Sequence, residues 1–233
     1  MNAVVITGGS SGIGEALARE FAKKGYPVVI GARSGNKIEK ISQDIIAGGG
    51  SCLAVKTDIS NPESVLNLYN KASSFGKISI VISNAGLGYF NKLDEMTVES
   101  WDDQLNVNLR GAFLLCKAFV PSMKNRLNGT LVFINSIAGL NVFANSTAYC
   151  ASKFGLRGLA GSLREELRDY NIKVMSVFPG AVNTNFWENI NIDFKREDML
   201  DSNSVARNII SNVEAPGNLV VEDLVLRRTA GDF

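Results

Sequence analysis

Ala3-Val4-Val5-Ile6-Thr7-Gly8-Gly9-Ser10-Ser11-Gly12-Ile13-Gly14 runs a short apolar strand into a glycine-rich turn and then directly into a helix. The helix carries apolar residues at Ile13, Leu17 and Phe21, which lie on one face. A strand this uniformly apolar is buried on both faces, since a strand with one wet face would alternate. Glycines at 8, 12 and 14 let the backbone turn tightly and approach an anion. The helix that follows aims its unpaired N–H groups and positive dipole end at the same point. The spacing G-x-x-x-G-x-G departs from the G-x-G-x-x-G fingerprint of dinucleotide-binding turns, but its place after the first strand agrees with it. Gly8, Ser10, Ser11, Gly12, Ile13 and Gly14 are the expected pyrophosphate cradle.

Similar apolar runs recur along the chain: Val28–Ile30, Leu53–Val55, Ile78–Ile82, Leu131–Ile134, Val174–Val177 and Leu219–Val221. Stretches of helical period separate them, among them one continuous run from Trp101 to Val120 and another from Leu156 to Leu167. Ser60-Asn61-Pro62-Glu63 has the capping-box pattern, with Ser60 as the cap and Pro near the helix start. Buried strands joined by helices imply right-handed crossovers. The fold expected is α/β, a Rossmann-type doubly wound, seven-stranded, mostly parallel sheet with helices on both faces. No linker, repeat or charge block divides the chain, so residues 1–233 are read as one domain.

The 233 residues carry 24 Lys+Arg against 23 Asp+Glu. A net charge of +1 gives no electrostatic reason to expect nucleic acid or an anionic membrane as partner. Histidine is absent, which excludes Ser-His-Asp and Cys-His hydrolases and most catalytic zinc sites. Cys52, Cys116 and Cys150 lie far apart, which fits neither a zinc site nor a disulfide framework, and no metal is expected. No apolar run reaches membrane-spanning length and no signal-peptide pattern opens the chain, so a cytoplasmic location is expected.

In dinucleotide folds an acidic residue after the second strand holds the adenosine ribose hydroxyls. Here that place reads Gly31-Ala32-Arg33-Ser34. Arg33 can stack on adenine and pair with a 2′-phosphate, with Ser34 and Ser10 as further donors. NADP is therefore favoured over NAD.

Tyr149 and Lys153 are one helical turn apart and share a face, just after a strand that ends in Asn135-Ser136. A Y-x-x-x-K pair alone is common by chance; its place in the fold is what gives it weight. With Thr7-Gly8-x-x-x-Gly12-x-Gly14, Asp58-Ile59, Asn84-Ala85-Gly86, Asn108, Ser136, Tyr149-x-x-x-Lys153 and Pro179-Gly180-x-Val182-x-Thr184, the sequence resembles the short-chain dehydrogenase/reductase family over essentially its whole length. The resemblance implies a catalytic tetrad of Asn108, Ser136, Tyr149 and Lys153, with Asn108 holding a water that links Lys153 to solvent. It implies adenine contacts from Asp58 and Ile59, and a segment, Asn84-Ala85-Gly86, bracing the cofactor. Pro179, Gly180, Val182 and Thr184 would form the loop against the nicotinamide. The activity implied is hydride transfer between NADP(H) and a carbonyl or alcohol carbon. Tyrosine titrates near 10, so such a role predicts a phenol depressed by Lys153 and by a cationic nicotinamide.

The expected pocket walls are Leu87-Gly88-Tyr89-Phe90, Leu140-Asn141-Val142-Phe143 and Phe186-Trp187, mostly apolar. A small-to-medium, largely apolar ketone or aldehyde fits them, with the irregular segment 185–200 folding over it. Excess apolar surface on the two long helical runs, with the resemblance, implies a homodimer or homotetramer. A catalytically silent NADP-binding sensor or scaffold of the same fold is the rival reading.

Overall fold

The computed structural model describes residues 2–188, 190 and 195–231. The elements alternate as β1 (Asn2–Thr7), α1 (Gly12–Lys23), β2 (Val28–Ala32), α2 (Gly35–Ala47), β3 (Cys52–Lys56), α3 (Pro62–Phe75), β4 (Lys77–Ser83) and α4 (Val98–Leu105). They continue as α5 (Gly111–Arg126), β5 (Gly129–Ile134), α6 (Thr147–Leu167), β6 (Ile172–Pro179), α7 (Ser202–Val213) and β7 (Asp223–Leu226).

The seven strands form one sheet in the order β3-β2-β1-β4-β5-β6-β7. Every neighbouring pair is parallel, so the sheet is wholly rather than mostly parallel. Strand alternation splits the core in two. Val4 and Ile6 of β1 face α1, α2 and α7, while Ala3 and Val5 face α3, α5 and α6. Both faces are covered, which is why the central strands read as unbroken apolar runs. The strand order reverses between β1 and β4, and their carboxyl ends mark the crevice where such sheets take ligands.

Three local expectations are corrected. The cap of α3 is Asn61, whose side chain accepts from the Ser64 N–H, while Ser60 turns back to Asp58. Pro62 at the first helical position makes Asn61 the last residue free to take extended backbone. The run 101–120 is interrupted by a five-residue π turn, Asn106–Arg110. Such a turn inserts one extra residue into the ladder, and π turns of this kind recur at functional sites. The last strand is Asp223–Leu226 and not Leu219–Val221. Arg164 of α6 donates to the Glu222 carbonyl and the Asp223 carboxylate, which seats Asp223 opposite Ser176. The segment before it is tied instead by Lys173, whose Nζ donates to the Ala215 and Gly217 carbonyls, and Leu219 is left exposed.

Candidate functional site

The crevice at the carboxyl edge of the sheet holds a cavity of about 900 Å³. At its glycine-turn end, the N-terminus of α1 has no side-chain cap, so the N–H groups of its first turn stay available to a ligand. Gly12 sits at φ +58°, and a Cβ there would stand 2.8 Å from the Thr184 methyl. A Cβ on Gly14 would stand 2.3 Å from the Gly8 carbonyl oxygen and 2.5 Å from Asn84 Nδ2. The turn can therefore be built only with glycine at these two places.

Asn84 is the brace between β1 and β4. Its Nδ2 donates to the carbonyls of Thr7 (2.9 Å) and Gly8 (3.2 Å). Thr7 Oγ1 accepts from the N–H groups of Asn84 and Ala85 and donates to the Ile82 carbonyl. The glycine turn and the loop after β4 are thereby one unit, and Gly8, Ser11, Gly12, Ile13, Asn84, Ala85 and Gly86 all line the cavity. Arg33 lines it at the end of β2. Ser10, Gly14, Ser34, Asp58 and Ile59 do not. Gly14 shapes the turn from behind. Ser34 is exposed beside Arg33. The Asp58 carboxyl is engaged by the hydroxyl and N–H of Ser60, bonds that hold it below the usual carboxylate range, with a smaller pull from Arg33. Ile59 turns its side chain into the core against Gly111, so a ligand could meet only its backbone.

Tyr149 and Lys153 lie in the first two turns of α6, one turn apart as their spacing requires. Lys153 is 5% exposed, and its Nζ donates to the Ile134 carbonyl at 3.1 Å and stands 5.7 Å from the centre of the Tyr149 ring. Ser136 follows β5, where its hydroxyl accepts from the Ala138 N–H and is hydrogen-bonded with Tyr149. Burial pushes the Tyr149 phenol up to about 12 against the pull of the Ser136 bond, and burial brings Lys153 down to about 8. In the protein alone desolvation penalises either charge more than the neighbouring group relieves it, and the depression the role calls for includes the charge of the nicotinamide.

Asn108 is 2% exposed in the π turn and does not line the cavity. Its Nδ2 donates to the Leu87 carbonyl and Ser152 Oγ, and its Oδ1 accepts from the Leu87 N–H. Both amide donors are therefore spent on pinning the loop after β4 to α6, so a bridging water would have to donate to Oδ1 or to the main-chain carbonyl of Asn108.

Pro179, Gly180, Val182 and Thr184 line the cavity after β6. Of the expected walls, Leu87-Gly88-Tyr89-Phe90, Phe143 and Phe186-Trp187 line it, whereas Leu140, Asn141 and Val142 do not. Val142 is 78% exposed because the short helical turn after Ser136 carries this loop outward. Of the segment 185–200, Asn189 and 191–194 lie outside the described residues, as does Phe233.

Several residues of the site were given no role of their own by the sequence. Thr7 joins the loops, and Asn135 Nδ2 donates to the Lys153 carbonyl. Ser152 links Asn108 to the Tyr149 carbonyl. Arg228, bonded to the Gly231 and Asp198 carbonyls, lines the cavity from the chain's end. Gln104, fully buried, accepts from the Tyr89 N–H; its position one turn before Asn108 was the available clue.

Among the described residues, no group of three or more His, Cys, Asp or Glu could hold a metal ion, and no helix is long and apolar enough to cross a membrane.

A family model described as short chain dehydrogenase matches residues 2–195. The sequence is 35% identical over 238 residues to a sepiapterin reductase of Chlorobaculum tepidum, covering 99% of this chain and 97% of that one. The fold superimposes with a TM-score of 0.91 on an alcohol dehydrogenase of the archaeon Thermococcus sibiricus complexed with 5-hydroxy-NADP, at 32% identity over 98% of this chain and 97% of that one. A metagenomic short-chain oxidoreductase in complex with NADP matches with a TM-score of 0.84 at 30% identity, over 98% of this chain and 97% of that one.

Proposed function

Given that this chain belongs to the short-chain dehydrogenase/reductase family, we propose that it is an NADP-dependent carbonyl reductase or alcohol dehydrogenase of one domain, acting on a small-to-medium, largely apolar substrate. One observation carries the reading: Tyr149, Ser136 and Lys153 converge on the cavity that also holds the glycine turn and Arg33.

The residues present fit the cofactor. A cavity of about 900 Å³ holds a dinucleotide with a small molecule beside it. The uncapped α1 N-terminus and the glycine cradle take the pyrophosphate, and Arg33 takes the 2′-phosphate. The two structural neighbours complexed with NADP or 5-hydroxy-NADP support that choice over NAD. When bound, NADPH supplies the hydride.

The chain's own residues do the rest. Ser136 Oγ donates to the substrate carbonyl oxygen and fixes it beside Tyr149. Tyr149 Oη, which burial keeps protonated throughout the neutral range, gives that oxygen a proton. The phenolate left behind is the costly species in this buried place. Lys153, still cationic at pH 7 with a value of about 8, lies one turn away to offset it. Asn108 and Gln104 hold the loop that closes the pocket over the tyrosine.

Phe113 and Phe154, exposed on α5 and α6, support assembly as a homodimer or homotetramer. Three buried free cysteines are in keeping with a cytoplasmic location.

The test is to follow NADPH absorbance with a panel of ketones and aldehydes, using native protein and Tyr149→Phe. Turnover that drops by about 10²-fold or more in the variant, with NADPH binding retained, is the expected result. Turnover at the native rate would refute the mechanism, and NADPH binding without turnover by native protein would favour the sensor reading.

A further inference from the structure

At the amino edge of the sheet, away from the crevice, β1 and β4 slip by one residue: Ala3 pairs with Ile78 and Val4 with Ile80. The extra residue is Ser79. The slip sends Ile78 and Ile80 into opposite halves of the core and leaves Ser79 in neither. Its side chain lines a second cavity, of about 250 Å³, which reaches across the first residues of β1, β4, β5 and β6. Ser79 is 8% exposed, and no described residue hydrogen-bonds its hydroxyl. A hydroxyl withdrawn from water without a protein partner costs stability, so folding by itself gives no reason for serine here.

The rest of the wall is of the same kind. Asn2, Asn128 and Thr130 line the cavity, and their side chains have no hydrogen-bond partner among the described residues. Asn171 spends one amide proton on the Leu127 carbonyl and keeps its amide oxygen. Lys173 is the only charged residue lining the cavity among the described residues, and two of its three protons go to the Ala215 and Gly217 carbonyls.

Such a wall selects by chemistry. Serine, threonine and asparagine side chains accept as well as donate, which suits a ligand whose own groups do both. An anion would use only the donors and would face the amide oxygens. It would also lie near the partly negative end of α5, which finishes at Arg126 just before Asn128. An apolar ligand would leave the polar wall without partners. The volume equals that of about eight waters, which sets a ceiling near a monosaccharide.

We propose that this cavity is a second ligand site, which takes a neutral polyol of about monosaccharide size whose hydroxyls pair with Ser79, Thr130 and the amides of Asn2 and Asn128. The two cavities lie at opposite edges of the sheet, so this site stands or falls independently of the reductase reading.

Glucose and sorbitol are titrated into the full chain, native and with Ser79→Ala or Thr130→Val, while amide signals are followed by proton–nitrogen correlation NMR; inorganic phosphate is titrated alongside. Saturable shifts at Gly129 and Gly217, with a Kd on the order of 1 mM for at least one polyol, are expected in native protein. The affinity should fall about fivefold in each variant. The Tm of Ser79→Ala should stay level or rise, because the hydroxyl has no bond within the protein to lose. Shifts that grow without saturating, saturation at Gly8 and Gly12 instead, an affinity unchanged in either variant, or phosphate bound more tightly than both polyols at Gly129 overturns the proposal. A Tm of Ser79→Ala several degrees below native overturns it as well, since the hydroxyl would then serve the fold.

Discussion

Replacing Gly14 with alanine tests whether the turn after β1 is built as a cradle. The new Cβ would stand 2.3 Å from the Gly8 carbonyl oxygen and 2.5 Å from Asn84 Nδ2, about 1 Å inside ordinary contact. Both neighbours are immobile: one is backbone, and the other is held by bonds to Thr7 and Gly8. Forcing space in a packed region costs about 1–3 kcal/mol, and the lost Asn84–Gly8 bond adds about 1 kcal/mol. Alanine's better helix propensity returns up to about 1 kcal/mol. The net is about 2.5 kcal/mol, which for a chain of this size lowers Tm by about 5–10 °C. NADPH binding is expected to weaken at least tenfold, because the displaced carbonyl belongs to the turn that would meet the pyrophosphate. Thermal unfolding by circular dichroism and NADPH titration by fluorescence read the two effects. Gly48→Ala is the control: φ is −79° and the nearest atoms are at ordinary contact, so stability should hold or rise slightly. A Gly14→Ala protein that melts within 2 °C of native and binds NADPH equally well would refute the reasoning.

Other perturbations reach other parts of the site. Arg33→Asp removes the proposed partner of the 2′-phosphate and offers a carboxylate to the ribose; NADPH affinity should fall about 10–100-fold while NADH affinity rises, and titration with both cofactors decides it. Lys153 binds its proton less tightly folded, near 8, than unfolded, near 10.5, so the unfolded state holds more protons between those values and native stability rises with pH through that window. Relative to Lys153→Met, the cofactor-free protein should therefore gain on the order of 3 kcal/mol from pH 7 to pH 10, read from urea midpoints; a difference independent of pH would contradict it. Above pH 10, Tyr149 acts in the opposite sense, since the unfolded phenol ionises first. Gln104→Leu leaves the Tyr89 N–H without its acceptor and should cost about 1–3 kcal/mol. Its KM for the ketone should rise while NADPH affinity stays level; a parallel loss of both would mean the residue supports the fold generally.

Legibility followed the range of each interaction. The central strands were plain because a strand covered on both faces must be apolar along its length. At the edge, Leu219–Val221 had the same composition as a strand but lies outside β7, and Arg164, a side chain far away in sequence, fixes where pairing begins. Asn108 stood out by type and position, yet only the structure showed that its amide also braces Leu87 and Ser152. Ile59 lay beside the expected adenine contact in sequence, but its side chain belongs to the core.

The sequence by itself determined the sheet, the glycine turn at the carboxyl edge of the sheet and the pairing of Tyr149 with Lys153, because each is written in neighbouring residues at a helical or strand period. The tertiary structure alone decided the wholly parallel pairing, the π turn, the course of the last strand and the proton affinities of the buried pair. Those properties arise from desolvation and from contacts between segments distant along the chain, and neither has a local spacing that could announce it.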